Sequence, residues 1–416
     1  MRTTLHSTVI LVTLLFSQQI SAQTSWTAQT SGVADTLYSV QFLDANNGFV
    51  GGYRGTVLKT TDGGTTWTDV SITSSWMVRD ISFIDANTGW AALGDVNDGD
   101  NSGELWHTTD GGTTWSKQTY YSTRARLGIS FIDTSTGWAC GSRSGPMDIA
   151  NTLDGGTTWT EQTDGAVFGW TYKVDAISAT DIWSVGVTFF PNPSGLIIHS
   201  TDGGSSWALQ SLGTISYTYD VEAVDANTIY VCGDAGYIVA TTDGGTTWNG
   251  QTTGTTDILW RTSFSSTMTG LACGDNGTII GTINGGANWN AETSGVSTTL
   301  NGIYMLDSTT AWAVGAGGTI LKRALGSGIK EGLWLTPGVA VFPNPFRNQT
   351  TIKIENAGVR DSYTFSLFDA LGRPVNQYII NGRQHMLNRD QLPRGIYHYS
   401  ITGNNSLPVS GKVVIQ

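Results

Sequence analysis

The sequence predicts an all-β protein built as a ring of seven β-sheet blades, and three observations lead to this prediction. The segment TTDGGTTW, or a close variant of it, occurs six times, and its tryptophans together with Trp26 are spaced 41 to 48 residues apart. The chain has 53 glycines among 416 residues and only 13% charged residues, as expected for short strands joined by tight turns. Seven first strands are predicted, one per repeat, near Val40, Ile81, Ile129, Val174, Val221, Thr262 and Ile303, and the alternation at Ile81 and Phe83 marks a half-buried strand. Repeats of about 40 to 50 residues made of short strands are typical of propeller blades.

The chain begins with a segment typical of a secretory signal peptide, predicted to span residues 1–22. It has a basic Arg2, an apolar run from Val9 to Phe16, and the small residues Ser21 and Ala22 before Gln23. The apolar run is shorter than a membrane-spanning helix requires, and no other segment approaches that length. We therefore predict a mature protein that starts at Gln23, is exported, and has no transmembrane segment.

One repeat illustrates how a blade is predicted. Residues 78–93 indicate a strand, a turn at Asp85–Gly89 and a second strand; a third strand runs from Glu104 to Thr109 into the DGGTT turn, and a fourth begins at Trp115. The seventh repeat stops near Lys322 without such a turn. Its missing fourth strand is supplied by the segment WTAQT at Trp26, which matches the segment after other repeat tryptophans. We predict a propeller over residues 23–324 that the N-terminal strand closes, leaving no free sheet edge.

The repeated turn itself is predicted to be structural. Its aspartate can accept backbone N–H groups across the bend, its glycines can adopt positive φ, and its tryptophan can pack between neighbouring blades. This motif is the Asp-box, also called the BNR repeat, and in families that carry it the box lies away from the active site. Its aspartate or asparagine and its tryptophan are Asp62 and Trp67, Asp110 and Trp115, Asp154 and Trp159, Asp202 and Trp207, Asp243 and Trp248, and Asn284 and Trp289.

Charge and cysteine content exclude several classes of function. Residues 23–328 hold 11 Lys and Arg against 28 Asp and Glu, whereas residues 329–416 hold 9 against 5. So acidic a body is repelled by nucleic acid and by anionic membrane surfaces. The three cysteines, Cys140, Cys232 and Cys273, occupy one column of the aligned repeats. We therefore expect them to be buried apolar residues, without a catalytic or metal-binding role.

The C-terminal part differs in composition and is predicted to be a separate module. After a linker over residues 325–338, residues 339–416 contain four landmarks in order: VFPNPF, LFDALGRPV, LPRGIYHYSI and a final GKVVIQ. These resemble the type A C-terminal sorting domain of the type IX secretion system, which implies a small Ig-like β-sandwich. The matching motif residues are Pro343, Asn344, Pro345, Gly372, Gly395, Tyr397, Gly411 and Lys412.

The resemblance to this sorting domain also implies a route and a destination. A Bacteroidota protein of this kind crosses the inner membrane by the Sec pathway and the outer membrane by the type IX machinery, which is the partner of the tail. The tail is then usually cleaved, here within the linker, and the product is released or attached to the cell surface.

The propeller resembles the photosystem II assembly-factor family of Asp-box propellers. The likeness rests on units such as ISFIDANTGW from Ile81 and GAGGTIL from Gly315. It implies a rigid disc that binds a protein or an assembly on one face. Because the matching residues belong to the scaffold, the resemblance is stronger evidence for the fold than for the identity of the ligand.

The ligand is expected at the end of the ring opposite the Asp-boxes. There the loops between strands two and three lengthen in blades two to four, and residues at the start of the first strands surround the central channel. Aromatic residues mixed with basic residues are typical of binding hot spots. The predicted ligand face comprises Tyr38, Arg79, Arg126, Tyr172, Lys173, Tyr219, Trp260 and Arg261. The alternative is that these side chains only cap the blade ends.

One loop is rich in oxygen ligands. Asp95, Asn97, Asp98, Asp100 and Glu104 lie within eleven residues, a density that can bind Ca²⁺ weakly outside the cell. The spacing differs from that of an EF-hand, and a solvated acidic loop is the alternative. No other cofactor is predicted.

Catalysis is the rival class of function, since Asp-box propellers include sialidases and xyloglucan-cleaving enzymes. The sialidase Arg-Ile-Pro motif is absent from the sequence, and glutamate is scarce in the propeller. Glycoside hydrolysis requires two carboxyl groups about 5 to 10 Å apart. Asp80, Asp175, Asp220 and Glu222 can supply such a pair, but nothing in the sequence singles them out. The sequence favours a non-enzymatic module that binds an unidentified protein or glycan, with an exo-acting glycoside hydrolase as the alternative.

Overall fold

The computed structural model describes residues 24–95, 103–119, 125–141, 147–162, 169–189, 192–210, 216–325, 339–354, 362–369, 373–381, 384–389, 392–403 and 406–416. The predicted signal peptide and residues 326–338 of the predicted linker lie outside this part. The described part contains β-strands and four short 3₁₀ turns, with no α-helix and so no helix long and apolar enough to cross a membrane. It falls into two compact units, one up to Leu325 and one from Val339.

The first unit is a seven-bladed β-propeller in which each blade is a four-stranded antiparallel sheet. Each first strand packs against the first strand of the next blade, and that of blade seven packs against that of blade one. First strands are Leu37–Phe42, Val78–Phe83, Arg126–Phe131, Gly169–Ala176, Thr218–Ala223, Leu259–Phe264 and Leu300–Met305. Second strands are Gly48–Gly52, Gly89–Gly94, Gly137–Gly141, Ile182–Thr188, Ile229–Gly233, Gly270–Gly274 and Ala311–Gly315.

The third and fourth strands form the outer half of each blade, and in blades one to six the fourth strand has only two or three residues. Third strands are Val57–Thr60, Gly103–Thr108, Asp148–Thr152, Ser194–Ser200, Ile238–Thr241, Ile279–Thr282 and Thr319–Leu325. Fourth strands are Thr68–Asp69, Ser116–Lys117, Thr160–Glu161, Ala208–Leu209, Asn249–Gly250 and Asn290–Glu292, and blade seven takes Thr24–Gln29. The 3₁₀ turns are Tyr53–Gly55, Asp234–Gly236, Asp275–Gly277 and Ala316–Gly318, each between strands two and three.

The N-terminal strand closes the ring, as the sequence predicts. It pairs antiparallel with the third strand of blade seven, so that Trp26 lies opposite Arg323. Glu292 of blade six holds both residues: its carboxylate accepts from Arg323 Nη2 at 2.7 Å and Nε at 3.0 Å, and from Trp26 Nε1 at 2.8 Å. The side chains of Arg323 and Glu292 are only 9% and 14% exposed. A single largely buried glutamate therefore ties the closing strand to the neighbouring blade.

The apolar core of the propeller consists of seven clusters, and each cluster lies between two neighbouring blades. Each contains one repeat tryptophan. In the cluster between blades seven and one, Trp67 meets Phe42 edge-on, with centroids 6.1 Å apart, while Phe42 stacks on Trp312 at 3.4 Å. The three cysteines are buried and unpaired in these clusters, as predicted, and burial raises the pKa of each thiol.

Each Asp-box is satisfied by hydrogen bonds within its own turn. In blade one, Asp62 Oδ1 accepts from Thr66 N at 2.8 Å and Oδ2 from Thr66 Oγ1 at 2.7 Å. Thr60 Oγ1 accepts from Gly64 N at 2.8 Å, and the two glycines have φ of 70° and 88°. The boxes of blades two to five repeat both bonds to the aspartate. In blade six Asn284 replaces the aspartate and its Oδ1 accepts from Asn288 N at 3.0 Å. The hydrogen bonds from Thr66 hold the pKa of Asp62 below its ordinary value, so the carboxylate stays charged as an acceptor.

The second unit is a small Ig-like β-sandwich. One sheet contains Val339–Phe342, Gln349–Ile354 and Gln384–Asn388, and the other contains Pro374–Asn381, Ser362–Phe368, Gly395–Gly403 and Ser406–Ile415. Their inner faces share one apolar cluster that includes Phe346, Phe365 and Tyr397.

Several predicted motif residues of the tail form contacts between segments that are far apart in the sequence. Asn344 Nδ2 donates to the carbonyl of Lys412 at 2.9 Å, and its Oδ1 accepts from Val414 N at 2.8 Å. Tyr397 Oη donates to the carbonyl of Pro393 at 3.0 Å, and Gly411 leaves room for the ring of Tyr399. Gly372 lies outside the described residues.

Ring closure gives the first testable prediction. Replacing Glu292 by alanine leaves Arg323 largely buried without its anion, which costs about 3 kcal/mol of the free energy of unfolding. Urea unfolding followed by tryptophan fluorescence measures this loss. The matched control is Asn290→Ala on the same fourth strand as Glu292, where the side chain is exposed, and this change is expected to alter stability by less than about 0.5 kcal/mol. Equal losses in the two variants would refute the role of Glu292 as the tie of the closing strand.

Candidate functional site

The two ends of the ring differ in construction. At one end, each Asp-box turn contacts the turn between strands one and two of the same blade, as Gly63 N does by donating to the carbonyl of Asn46 at 2.9 Å. The first strands begin at the other end, beside the loops between strands two and three. Those loops are 3₁₀ turns in blades one, five, six and seven. In blades two to four they are longer, and residues 96–102, 142–146 and 190–191 within them lie outside the described part.

A β-bulge near the start of every first strand sets which side chains reach this second end. In each blade the strand pairing skips one residue, for example between Val78 and Asp80. A bulged residue has no cross-strand partner and its side chain is re-aimed. The bulged residues are Tyr38, Arg79, Leu127, Tyr172, Tyr219, Trp260 and Asn301. Five of the eight predicted ligand residues therefore share one position in the fold.

Aromatic rings from blades four to six form a continuous strip. The ring of Tyr219 lies 5.5 Å from that of Tyr172 and 4.6 Å from that of Trp260, and Trp170 extends the strip to Phe189 at 5.2 Å. Tyr219 Oη donates to Asp234 Oδ1 at 2.8 Å, and Trp260 Nε1 donates to Asp275 Oδ1 at 2.9 Å. These bonds fix the orientation of two rings. We call this strip, together with Tyr38 and Arg79, the mouth surface.

Sequence reasoning did not select Trp170, which lies two residues before Tyr172 in a first strand that is longer than the others. The partners Asp234 and Asp275 were also missed. Both aspartates begin a 3₁₀ turn of the form Asp-x-Gly, a signal that the sequence does contain.

Lys173 and Arg261 lie one residue further along their strands and are already paired. Lys173 Nζ contacts Asp80 Oδ2 at 2.7 Å, which joins blade four to blade two, and Arg261 Nη1 contacts Asp220 Oδ1 at 3.0 Å. Blade three has Gly128 in this column, where an added Cβ would lie 2.9 Å from the Cα of Lys173. The predicted face therefore separates into an outer layer of bulged residues and an inner layer of ion pairs.

Asp175 and Glu222 complete the inner layer without an ion-pair partner among the described residues. Asp175 accepts the N–H of Ala223 at 2.8 Å, and Glu222 accepts that of Phe264 at 3.3 Å, so each carboxyl contacts the first strand of the next blade. Burial raises the pKa of Asp175 to about 6 and that of Glu222 to about 8, and the carboxylates of the cluster add to both shifts. Glu222 is therefore mostly protonated at neutral pH.

The structure corrects the placement of Arg126. This residue precedes the bulge in blade three, where other blades have Val78 or Leu37, and its side chain is 1% exposed. It forms a buried bidentate ion pair with Asp148, at 3.2 and 2.9 Å. Because a shift of one residue moves a side chain to the other face of a strand, Arg126 packs between blades and does not reach the mouth surface.

The proposed calcium loop lies mostly outside the described residues, namely Asn97, Asp98 and Asp100. Of its two described members, Asp95 lies 4.0 Å from Arg79. Glu104 accepts from Ser74, Trp106 and Lys117 at 2.7 to 2.8 Å, so its oxygens are already engaged. Within the described ranges, no group of three acidic, histidine or cysteine side chains is placed to hold a metal. Calcium binding stays a prediction.

The buried carboxyls give a prediction about pH. Because the folded-state pKa of Glu222 is raised from 4.5 to about 8, its contribution to stability is complete below pH 4.5 and is lost as the pH rises through about 8. The shift of Asp175 acts only up to about pH 6. We expect the free energy of unfolding of Glu222→Gln to be nearly independent of pH between 6 and 8, where that of the wild type falls. Urea unfolding at each pH measures this, and parallel profiles for the two proteins would contradict the assignment.

Comparison with solved structures shows the same fold. A structure of YCF48 bound to D1 peptide matches at a TM-score of 0.58 and 17% identity, over 72% of this chain and 96% of that chain. A GH74 enzyme from Niastella koreensis matches at 0.59 and 14% identity, over 94% and 75%. PorZ of Porphyromonas gingivalis matches at 0.55 and 15% identity, over 93% of this chain and 60% of PorZ. At these identities the likeness shows the fold alone.

Sequence comparison identifies both parts of the chain. No curated protein sequence matches it significantly. The family model described as secretion system C-terminal sorting domain matches residues 340–416, which form the sandwich. The family model described as photosynthesis system II assembly factor YCF48 matches residues 18–122 and 119–259, more than half of the chain. The chain therefore belongs to the YCF48 family of Asp-box β-propellers and has a secretion-system C-terminal sorting domain.

Proposed function

We propose that this chain is a binding module that acts outside the cell and holds a protein partner on its mouth surface. The observation that carries the proposal is the aromatic strip from Phe189 to Trp260 with Arg79 beside Tyr38, all at one end of a rigid ring. Tryptophan, tyrosine and arginine are the residues that contribute most to binding at protein interfaces.

The hydrogen bonds of the side chains at the two ends of the ring support binding at the mouth surface. Bonds to Asp234 and Asp275 already hold Tyr219 and Trp260, so a partner loses little free energy in ordering these two rings. At the opposite end, the Asp-box carboxylates are occupied within their own turns, as Asp62 is by Thr66. The irregular end therefore offers oriented apolar surface, whereas the regular end offers side chains that serve the scaffold.

The relatives support a polypeptide partner and a location outside the cell. The solved YCF48 structure contains a D1 peptide, and PorZ is described as a surface component of the type IX secretion system. The sorting domain of this chain supports export by that system. We propose that the tail directs export and is then removed within residues 325–338, and that the propeller is released or stays at the cell surface.

Glycoside hydrolysis is the rival activity, because GH74 enzymes share the fold. It requires two carboxyl groups that face a substrate cleft. In this ring, Asp80 and Asp220 are bound in ion pairs with Lys173 and Arg261, and Asp175 and Glu222 accept backbone N–H groups between blades. We propose that these four carboxyls stabilise the scaffold, and we expect no turnover of sialosides or xyloglucan oligosaccharides. Hydrolysis of either substrate that Glu222→Gln abolishes would support the rival.

The binding proposal is tested by affinity capture. The full chain is immobilised and incubated with a cell-surface extract, and bound proteins are quantified for the wild type and for the double variant Tyr219→Ala, Trp260→Ala. We expect the variant to retain less than about one tenth of the specific capture, because hot-spot aromatics each contribute about 2 kcal/mol or more.

The matched control removes apolar surface from the other end. Leu153 and Ile283 lie in Asp-box turns and are 70% and 75% exposed, so the double variant Leu153→Ala, Ile283→Ala should capture the partner like the wild type. Unfolding curves verify that both variants are folded. If the control loses capture and the Tyr219, Trp260 variant keeps it, the partner binds the Asp-box end and the proposal is wrong. A glycan array with the same proteins shows whether the mouth surface binds a sugar instead.

A further inference from the structure

Among the described residues, no carboxylate lies closer than 4.0 Å to Arg79, a cation near the centre of the ring. Lys173, Arg261, Arg126 and Arg323 each contact a carboxylate at 2.7 to 3.0 Å. The corresponding distance from Arg79 Nη2 to Asp95 Oδ1 is 4.0 Å. The only hydrogen bond that Arg79 donates in the described part is a long one, from Nε to the carbonyl of Gly94 at 3.4 Å. The guanidinium group therefore retains unused donors.

Two tyrosine hydroxyls beside Arg79 are also unused. The guanidinium carbon lies 4.8 Å from the ring centroid of Tyr38. Tyr172 occupies the same bulged position as Arg79, and the residue after it, Lys173, contacts Asp80, the residue after Arg79, at 2.7 Å. Within the described ranges, neither hydroxyl has a hydrogen-bond partner, whereas Tyr219 and Trp260 both donate to aspartates. Burial raises the pKa of Tyr172 to about 12 and raises that of Tyr38, so both hydroxyls keep the proton that they can donate.

Arg79 is partly buried, and its nearest described carboxylate is 4.0 Å away. Its side chain is 25% exposed, and burial, together with the nearby positive charge of Arg261, lowers the pKa of its guanidinium group. An anion that binds a partly buried cation is stabilised by a larger electrostatic free energy than one that binds an exposed cation, because screening by the solvent is weaker there. The site is still open to solvent, so a partner group can reach it.

We infer that Arg79, Tyr38 and Tyr172 form a subsite for the side-chain carboxylate of an acidic residue in the protein partner. This inference rests on the proposed function of the mouth surface. A guanidinium fork matches a carboxylate through two parallel N–H···O bonds, and each tyrosine hydroxyl supplies one further donor. The aromatic strip begins next to this subsite, at Tyr172, so the partner segment presents an acidic residue close to apolar residues.

The subsite is tested with acetate as the carboxylate probe. The full chain is labelled with ¹⁵N-arginine, and the Nε–H signal of Arg79, identified by its loss in Arg79→Gln, is followed during titration with acetate, sulfate or chloride. The signal of Arg54 is the matched internal control, since this exposed arginine also lies over a tyrosine, Tyr53, at 5.1 Å. A double variant, Tyr38→Phe and Tyr172→Phe, removes the two hydroxyls and keeps the rings.

We expect a saturable shift of the Arg79 signal with acetate, a weak and unsaturated shift of the Arg54 signal, and acetate affinity reduced about ten-fold or more in the double variant, because hydrogen bonds to charged groups are lost. No saturable shift at Arg79, an equal response at Arg54, or unchanged affinity in the double variant would overturn the subsite. Tighter binding of sulfate than of acetate would overturn its assignment to a carboxylate. If the subsite fails while Tyr219→Ala, Trp260→Ala still loses partner capture, the proposed function stands without it.

Discussion

The structure of this propeller depends on one constraint: no blade buries its apolar residues alone. Each of the seven apolar clusters is shared by two blades, and each includes one repeat tryptophan, such as Trp67 between blades seven and one. A single blade would leave half of each cluster in water, so the ring is stable only when every interface is made. The last interface needs the N-terminal strand, which supplies Trp26 and is held by Glu292. The same need explains why the Asp-box repeats so faithfully, since each box positions the tryptophan of one interface.

This constraint also separates the scaffold from the site. The Asp-box end is uniform because each of the seven interfaces between blades must bury one repeat tryptophan. The polar groups of the Asp-boxes form hydrogen bonds within their own turns. The bulged position at the other end does not have to supply a tryptophan to an interface, because a bulged residue has no partner in the strand pairing. Blades one, two, four, five and six place Tyr38, Arg79, Tyr172, Tyr219 and Trp260 there, and no two successive blades except four and five carry the same residue. A position that varies from blade to blade is what a specific surface requires.

Much of the fold followed from the sequence, because period and turn chemistry are local properties. The number of repeat tryptophans gave the number of blades, and the similarity of WTAQT at Trp26 to later repeats identified the closing strand. The site followed only in part. Alignment by column would have assigned Arg126 to the position of Val78 and so to the interior, but its charge suggested the surface. The contact of Lys173 with Asp80 was beyond prediction because it joins blades two and four across the ring, and the raised pKa values of Asp175 and Glu222 arise from burial among carboxylates of several blades.

The central claim is that the regular end of the ring builds the scaffold and the irregular end binds the partner. Hydrogen–deuterium exchange of the full chain, with and without the captured partner, tests it most directly because it locates the contact without any substitution. The account predicts slower exchange at the starts of the first strands in blades four to six, around Tyr172, Tyr219 and Trp260, and unchanged exchange in the Asp-box turns. Slower exchange in the Asp-box turns, with no change at the mouth surface, would contradict it.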